Sequence, residues 1–121
     1  MLRMPARGAA LRHLALKSRD LAATKRFYLE VIGFEVAFPH AGMLFLRSPA
    51  GDDLLNFVET HARFDAKAGG FEHFGVYVPP ARWRTVLAGL RRARVKIRGR
   101  RGRDAVYVED PNGYTVELYR D

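Results

Sequence analysis

Two short stretches decide the fold, RHLAL at residues 12–16 and EHFGV at residues 72–76, because they are versions of one motif 60 positions apart. A second pair follows the same order, since LRSPAG at residues 46–51 returns as VEDPNG at residues 108–113, 62 positions later. Each first motif precedes a helical pattern, and each Pro-x-Gly turn leads into a strand with alternating apolar residues. Order and spacing agree, so we interpret the chain as one unit that occurs twice.

Hydrophobic periodicity predicts the order strand, helix, strand, strand, strand in each half. Asp20 is the predicted N-cap of the first helix, and Gly33 its predicted end. The second helix carries an apolar stripe made of Trp83, Val86, Leu87 and Leu90. The predicted strands cover residues 11–17, 34–38, 43–48, 53–59, 71–78, 95–98, 105–109 and 114–120.

These elements predict an α+β fold with two βαβββ modules in a single domain, residues 1–121. Module one covers about residues 11–60, module two about residues 71–121, and residues 61–70 link them. A chain of 121 residues with 48% hydrophobic residues can bury a sizeable core without a disulfide or a zinc ion.

The composition excludes several classes of protein. The chain has no Cys, which excludes a disulfide framework, a thiolate metal site and a Cys nucleophile. No apolar run approaches the roughly 18 residues of a membrane span, and the N-terminus lacks the long apolar core of a secretory signal. We therefore expect a cytoplasmic protein that does not bind membranes.

The positive charge is concentrated in one segment, residues 91–103. That segment holds eight basic residues and no acidic one, which equals the net charge of +8 for the whole chain. The segment has three interpretations: a solvated hairpin, the entrance for an anionic substrate, or a nucleic-acid surface. Nucleic acid is the least favoured partner, because no aromatic residue interrupts the run.

Strand alternation places His13 and His73 on the faces that do not pack on the helices. Each is followed two positions later by a small residue, Ala15 or Gly75, which leaves room beside the strand. Glu117 lies on the corresponding face of the last strand. Imidazole and carboxylate suit one divalent ion of Mn, Fe, Ni, Co or Zn, and three protein ligands leave positions for water or substrate.

Repeat symmetry puts Asn56, within one inserted residue, where the second half has Glu117. The residues predicted to line a substrate pocket are Asn56, Tyr77, Tyr107, Phe45 and Arg47. Tyr107 is the strongest of these, because it lies on the strand face opposite Val106 and Val108. No residue is singled out as the catalytic base.

With these motifs in view, the chain resembles the vicinal-oxygen-chelate superfamily, which includes glyoxalase I, fosfomycin-resistance proteins, extradiol dioxygenases and bleomycin-resistance proteins. The resemblance covers about residues 11–121. It rests on RHLAL and EHFGVYV in the two halves, on FYLEVIGFEV at residues 27–36, and on VYVEDPNGYTVELYRD at residues 106–121. It implies paired modules forming an open, barrel-like mixed sheet, the glyoxalase/dioxygenase fold, around one metal with the ligands His13, His73 and Glu117.

Departures from the family patterns leave the reaction open. Asn56 stands where glyoxalase I has a fourth ligand, Ala15 where fosfomycin thiol transferases have Thr, and residues 98–100 where extradiol dioxygenases have a catalytic His. The expected function is a divalent-metal enzyme of the glyoxalase or fosfomycin-resistance type, acting on a small oxygenated substrate. The alternatives are a ring-cleaving dioxygenase and a metal-free protein that sequesters an antibiotic or another ligand.

The assembly also follows from the repeat. Module one offers His13 alone, whereas module two offers His73 and Glu117. Short members of the resembled superfamily commonly pair module one of one subunit with module two of the other, which predicts a homodimer with metal sites shared between chains. In the alternative, both modules of one chain close on each other, which the linker also permits.

Overall fold

A four-stranded mixed sheet with a crossover helix is built twice in the computed structural model, which describes residues 8–49 and 51–121. The first half contains β1 (His13–Ser18), α1 (Leu21–Arg26) continued by a π-helical turn (Phe27–Ile32), β2 (Glu35–Phe38), β3 (Met43–Arg47) and β4 (Leu54–Glu59). The second half contains β5 (Phe74–Tyr77), a 3-10 turn (Pro80–Arg82), α2 (Trp83–Arg92), β6 (Gly99–Arg101), β7 (Ala105–Glu109) and β8 (Thr115–Tyr119).

The two sheets have the same topology. Sheet one has the order β1-β4-β3-β2, and sheet two has the order β5-β8-β7-β6. In each sheet the first strand pairs in parallel with the last, and the other pairs are antiparallel. The prediction of an α+β fold with two βαβββ modules is therefore confirmed, and the sheets remain open rather than closing into a barrel.

The first helix begins and ends where the sequence predicts. The Asp20 carboxylate accepts a hydrogen bond from the Ala23 N–H at 2.9 Å, and Gly33 closes the helix in the left-handed conformation with φ +95°. Between these limits the π-helical turn buries Phe27, Tyr28, Val31 and Ile32. The helix therefore presents a continuous apolar surface to the core.

The second helix buries most of its predicted stripe. Trp83, Val86 and Leu90 are buried, and Leu87 is half-buried. The helix has 10 residues.

Across residues 8–49 and 51–121, no helix combines the length and the apolar character that crossing a bilayer requires.

The core lies on the helix sides of both sheets. Tyr28, Phe57 and Leu118 are fully buried there, and residues of both modules form one hydrophobic cluster. Polar contacts also join the modules. The Tyr28 hydroxyl donates to Asp110 at 2.8 Å, the Tyr114 hydroxyl donates to the Lys17 carbonyl at 2.9 Å, and Asn112 Nδ2 donates to Thr24 Oγ1 at 3.1 Å. The opposite sides of the sheets are left facing outward, and we call these the open faces.

One predicted strand is wrong in position. Residues 95–98 alternate in burial as expected, but the strand in that region is β6, Gly99–Arg101. The Val95 N–H is still bonded to the Leu90 carbonyl at the end of α2, and pairing with β7 starts only with the Arg98 N–H on the Tyr107 carbonyl. The shift moves Arg101 onto the sheet and into register with Ala105.

Candidate metal centre

His73 and Glu117 meet on the open face of sheet two. Glu117 is on β8, paired with Gly75 of β5, and His73 lies just before β5. His73 Nε2 and Glu117 Oε1 are 3.2 Å apart, and the Glu117 side chain is only 12% exposed. The pairing of β5 with β8 thus brings two of the three predicted metal ligands into contact.

Arg101 and Tyr107 complete this cluster. Arg101 Nη2 donates to Glu117 Oε2 at 2.9 Å, and the Tyr107 ring meets the His73 ring edge-on with centroids 5.5 Å apart. Hydrogen bonding to Glu117, and then to Tyr107, raises the pKa of the Arg101 guanidinium. Both Glu117 oxygens therefore lie near a nitrogen atom, Nε2 of His73 on one side and Nη2 of Arg101 on the other.

Gly75 leaves space in front of Glu117. A Cβ at this position would lie 3.1 Å from the Tyr119 ring and 4.0 Å from Glu117 Oε1. The first of these contacts is tighter than ordinary van der Waals packing. The small residue expected beside the predicted ligand thus keeps the approach to the carboxylate open.

His13 lies on the other sheet, in a groove of about 320 Å³. The groove is also lined by Phe38, Arg47 and Asp53, and Arg47 is paired with Glu35 at 2.7 Å. Within residues 8–49 and 51–121, no group of three or more His, Asp or Glu side chains is arranged to hold a metal. One chain in this conformation therefore presents His13 separately from His73 and Glu117.

Asn56 occupies the place in sheet one that Glu117 occupies in sheet two. Asn56 pairs with Ala15, as Glu117 pairs with Gly75, so the equivalence predicted from the repeat is confirmed. Asn56 is only 7% exposed, and its Oδ1 is buried without a hydrogen-bond partner in the described part of the chain. A buried acceptor without a hydrogen-bond partner lowers the free energy of unfolding, whereas both oxygens of Glu117 at the equivalent position have a neighbour.

The other predicted pocket residues are spread over both open faces. Phe45 pairs with Asn56 and stacks on Phe38 with ring centroids 4.4 Å apart. Tyr107 contacts His73 as described, whereas Tyr77 is 45% exposed and its hydroxyl donates to Asp121 at 2.7 Å. Tyr77 therefore lies at the rim of the open face rather than beside Glu117.

Sequence reasoning missed Arg101 as a member of the site. The sequence places Arg101 only in the basic segment 91–103, because the predicted strand covers residues 95–98 and ends before it. The signal that could have found it is the Arg-Gly-Arg-Asp turn at residues 101–104, in which Gly102 has φ +58°. A tight turn there places Arg101 on the same face as Tyr107 through strand alternation.

The donor set fits a divalent cation. Ligand bonds of 2.0–2.2 Å put neighbouring donor atoms about 3 Å apart, close to the 3.2 Å between His73 Nε2 and Glu117 Oε1. The guanidinium of Arg101 already puts a positive charge on the other carboxylate oxygen. Glu117 thus already attracts a cationic side chain, and a carboxylate beside an imidazole is a pair of ligand types that divalent ions accept.

Solved structures with the same fold span this chain almost completely. A lactoylglutathione lyase from Agrobacterium tumefaciens is 25% identical, with 94% of this chain and 95% of that chain covered and a TM-score of 0.69. A glyoxalase/dioxygenase from Nostoc punctiforme is 15% identical, with coverage of 100% and 97% and a TM-score of 0.78. No curated protein sequence matches the chain.

A fosfomycin resistance protein from Listeria monocytogenes is also similar, at 15% identity, 92% and 91% coverage and a TM-score of 0.74. That protein was solved in complex with Mn(II) and 1S,2S-dihydroxypropylphosphonic acid. A family model for the Glyoxalase/Bleomycin resistance protein/Dioxygenase superfamily matches residues 10–118. The match covers nearly the whole of both modules, and the chain belongs to this superfamily.

Proposed function

We propose that this protein is a metal-dependent enzyme in which His13, His73 and Glu117 hold one divalent cation and the substrate is a small oxygenated molecule. The observation that carries the proposal is the convergence of His73 Nε2 and Glu117 Oε1 at 3.2 Å on an open face. A bound cation would supply Lewis-acid polarisation of substrate oxygens. The Mn(II) in the Listeria relative makes manganese the first ion to test.

The residues around His73 would prepare it as a ligand. Glu72 Oε1 is 3.2 Å from Nδ1, so a proton on Nδ1 has an acceptor and Nε2 is left for the metal. The Tyr107 ring packs edge-on against the imidazole and limits its rotation. A ligand held in one tautomer and one orientation binds a metal with less loss of entropy.

The complete site would be formed by two copies of the chain. The open faces leave Phe38, Val58 and Tyr77 exposed by 45%, 39% and 45%. Sheet one carries His13, and sheet two carries His73 and Glu117. Sheet one of one copy against sheet two of another would cover these apolar side chains and bring the three ligands together, giving two equivalent sites in a twofold dimer.

The metal site is tested by metal analysis of protein purified without a His tag. His73→Ala is expected to remove most bound metal while the circular dichroism spectrum stays unchanged. His61→Ala, which removes an exposed His in the linker, is the matched control and should keep its metal. Metal binding should also weaken as the pH falls toward about 6, because imidazole must be neutral to ligate. Unchanged metal content in His73→Ala would refute the three-ligand site.

Sharing of the site between chains is tested by mixing. The variants His13→Ala and Glu117→Ala are each expected to bind little metal. After the two are unfolded together and refolded, each mixed dimer should regain one intact site, with His13 from one chain and His73 and Glu117 from the other. If each chain builds its own site, no metal binding returns on mixing.

A second candidate function is favoured by the ion pair itself. Both Glu117 oxygens already have partners without a metal, His73 and Arg101. This would suit a metal-free protein that binds a small molecule between the open faces. Such a protein would hold no stoichiometric metal after purification or after incubation with Mn, Fe, Ni, Co or Zn, whereas the enzyme would.

A further inference from the structure

Arg101 is the one basic residue of segment 91–103 that hydrogen-bonds Glu117 within the described chain, and its position follows from the register of β6. Arg101 pairs with Ala105, and Gly99 pairs with Tyr107, so both project on the open face of sheet two. Arg100 pairs with the buried Val106 and therefore belongs to the helix side. One arginine is thus selected from eight basic residues by strand alternation.

The guanidinium of Arg101 is bound to the same carboxylate that would ligate the metal, on the oxygen next to the one that faces His73. Arg101 Nη2 is 2.9 Å from Glu117 Oε2, while Oε1 faces His73. A dication on the same carboxylate would repel the guanidinium at this range, because two like charges a few ångströms apart interact strongly outside bulk water. Metal binding and the Arg101–Glu117 pair therefore oppose each other.

The Arg101 side chain can move away from Glu117 at little cost. Its side chain is 60% exposed, against 12% for Glu117, and an exposed ion pair is weak. It also lies on a three-residue strand that ends at a tight turn with Gly102 at φ +58°. Displacement would cost little and would leave a charged side chain beside the metal on the same face.

A guanidinium displaced from Glu117 can bind an anionic group of a ligand. It presents five N–H donors in a planar fork that matches the oxygens of a carboxylate, phosphate or phosphonate. Resting on the proposed function, we propose that Arg101 is the anion-binding residue of this site, held by Glu117 until a metal displaces it. The substrate class is then a small molecule with an oxyanion group beside its metal-binding oxygens.

The proposal makes metal loading and anion binding cooperative. Without metal, Glu117 competes with any anion for Arg101. With metal, Glu117 is neutralised by the cation and Arg101 is released to the ligand. The same residue therefore weakens metal binding when no anion is present and strengthens ligand binding once the metal is bound.

The first arm of the test measures Mn(II) binding by titration calorimetry. Arg101→Gln is expected to tighten Mn(II) binding several-fold relative to the unchanged protein, because the competing cation is gone. Arg103→Gln, an exposed arginine two residues away, is the control and should change the affinity by less than about twofold. Unchanged or weaker Mn(II) binding in Arg101→Gln would overturn the proposal while leaving the metal site standing.

The second arm uses no metal and therefore does not depend on the proposed function. Glu117→Gln frees Arg101, and this variant is expected to bind inorganic phosphate or acetate several-fold more tightly than the unchanged protein. The double variant Glu117→Gln with Arg101→Gln should lose the gain. The anion that binds with the higher affinity, phosphate or acetate, indicates whether the anionic group of the substrate is tetrahedral or planar.

The outcomes separate the two proposals. If the unchanged protein binds no divalent metal and Glu117→Gln still gains anion binding, the metal site fails and Arg101 remains an anion-binding residue. If Mn(II) binds but Glu117→Gln gains nothing, or the double variant keeps the gain, the inference on Arg101 is wrong.

Discussion

The two modules share one topology but present different chemistry on their open faces. In sheet one, Phe45 pairs with Asn56, whereas at the same register in sheet two Tyr107 pairs with Glu117. Phe38 stacks on Phe45 at 4.4 Å, while Gly99 faces Tyr107 at the matching position. At this position sheet one therefore carries an apolar pair beside an uncharged amide, with His13 and the Arg47–Glu35 ion pair elsewhere on the module, whereas sheet two carries an ionic cluster of His73, Glu117 and Arg101. The charged groups of the candidate site therefore belong mainly to module two.

The largest expected effect comes from breaking the buried contact that joins the two modules. Asp110 accepts hydrogen bonds from the Tyr28 hydroxyl and from the backbone N–H groups of Asn112 and Tyr114. Asp110→Ala leaves these three donors without an acceptor, so the free energy of unfolding should fall by about 3–5 kcal/mol in urea denaturation.

The matched control is Asp104→Ala, because Asp104 is exposed and pairs only with Arg120 among the side chains described. Its loss should stay within about 0.5 kcal/mol. A loss of that size for Asp110→Ala would show that the modules do not depend on the buried contact.

The second largest effect is expected when module one receives the carboxylate that module two has at the equivalent position. Asn56→Glu puts a carboxylate into a buried position beside Phe45, so the metal-free protein should lose about 1–3 kcal/mol of stability. If Asn56 lies at the fourth-ligand position, the same variant should bind metal about tenfold more tightly, a gain of about 1.4 kcal/mol. Thermal unfolding and calorimetry with Mn(II) measure the two effects.

Asn56→Gln controls for length without adding charge. It should leave the metal affinity within about twofold of the unchanged protein. Equal metal affinities for Asn56→Glu and Asn56→Gln would mean that Asn56 does not face the metal in the assembled protein.

A smaller effect is expected at the second contact between the modules. The Tyr114 hydroxyl donates to the Lys17 carbonyl at 2.9 Å and accepts from the Lys17 N–H at 3.1 Å. Tyr114→Phe should cost about 1–2 kcal/mol, because two backbone groups lose a partner. Tyr77→Phe removes an exposed hydroxyl bonded to Asp121 and should cost less than about 0.5 kcal/mol. Similar urea midpoints for the two variants would contradict a role for Tyr114 in joining the modules.

The smallest effect is a dependence of stability on pH. Burial raises the pKa of Asp110, although hydrogen bonds from Tyr28 and Asn112 oppose the shift. In an unfolded chain Asp has a pKa of about 3.9. Between that pH and the higher pKa of the folded state, Asp110 stays protonated in the folded protein but is ionised in the unfolded chain. The contribution of this protonation difference to the free energy of unfolding is fully present below a pH of about 3.9 and is lost as the pH rises through the folded-state pKa of Asp110. Subtracting the stability curve of Asp110→Asn should show this fall, and a flat difference would contradict it.

Much of the fold can be predicted because its signals are local. Asp20 and Gly33 limit the first helix through a side-chain cap and a left-handed residue, and both depend only on neighbouring backbone. The open faces follow from strict alternation, which is why His73, Glu117 and Tyr107 were correctly assigned to one side. The equivalence of Asn56 and Glu117 follows from the repeat.

What the sequence could not supply depends on long-range contacts. Val95 and Ile97 alternate like a strand, yet the position of β6 is decided by the Arg98 N–H reaching the Tyr107 carbonyl, nine residues away. The pairing of Arg101 with Glu117 depends on that register. A meeting of His13 with His73 depends on contact between sheets, which no local pattern encodes.

The basic residues along β6 also bear on how copies of the chain can associate. Among the strands that the structure describes, β6 pairs only with β7, so its other edge offers backbone groups to any approaching strand. Arg100, Arg101 and Arg103 are all exposed around it. Two copies meeting edge to edge would bring like charges together, which opposes the strand-by-strand growth that leads to fibres. The charge therefore disfavours self-association through this edge of sheet two.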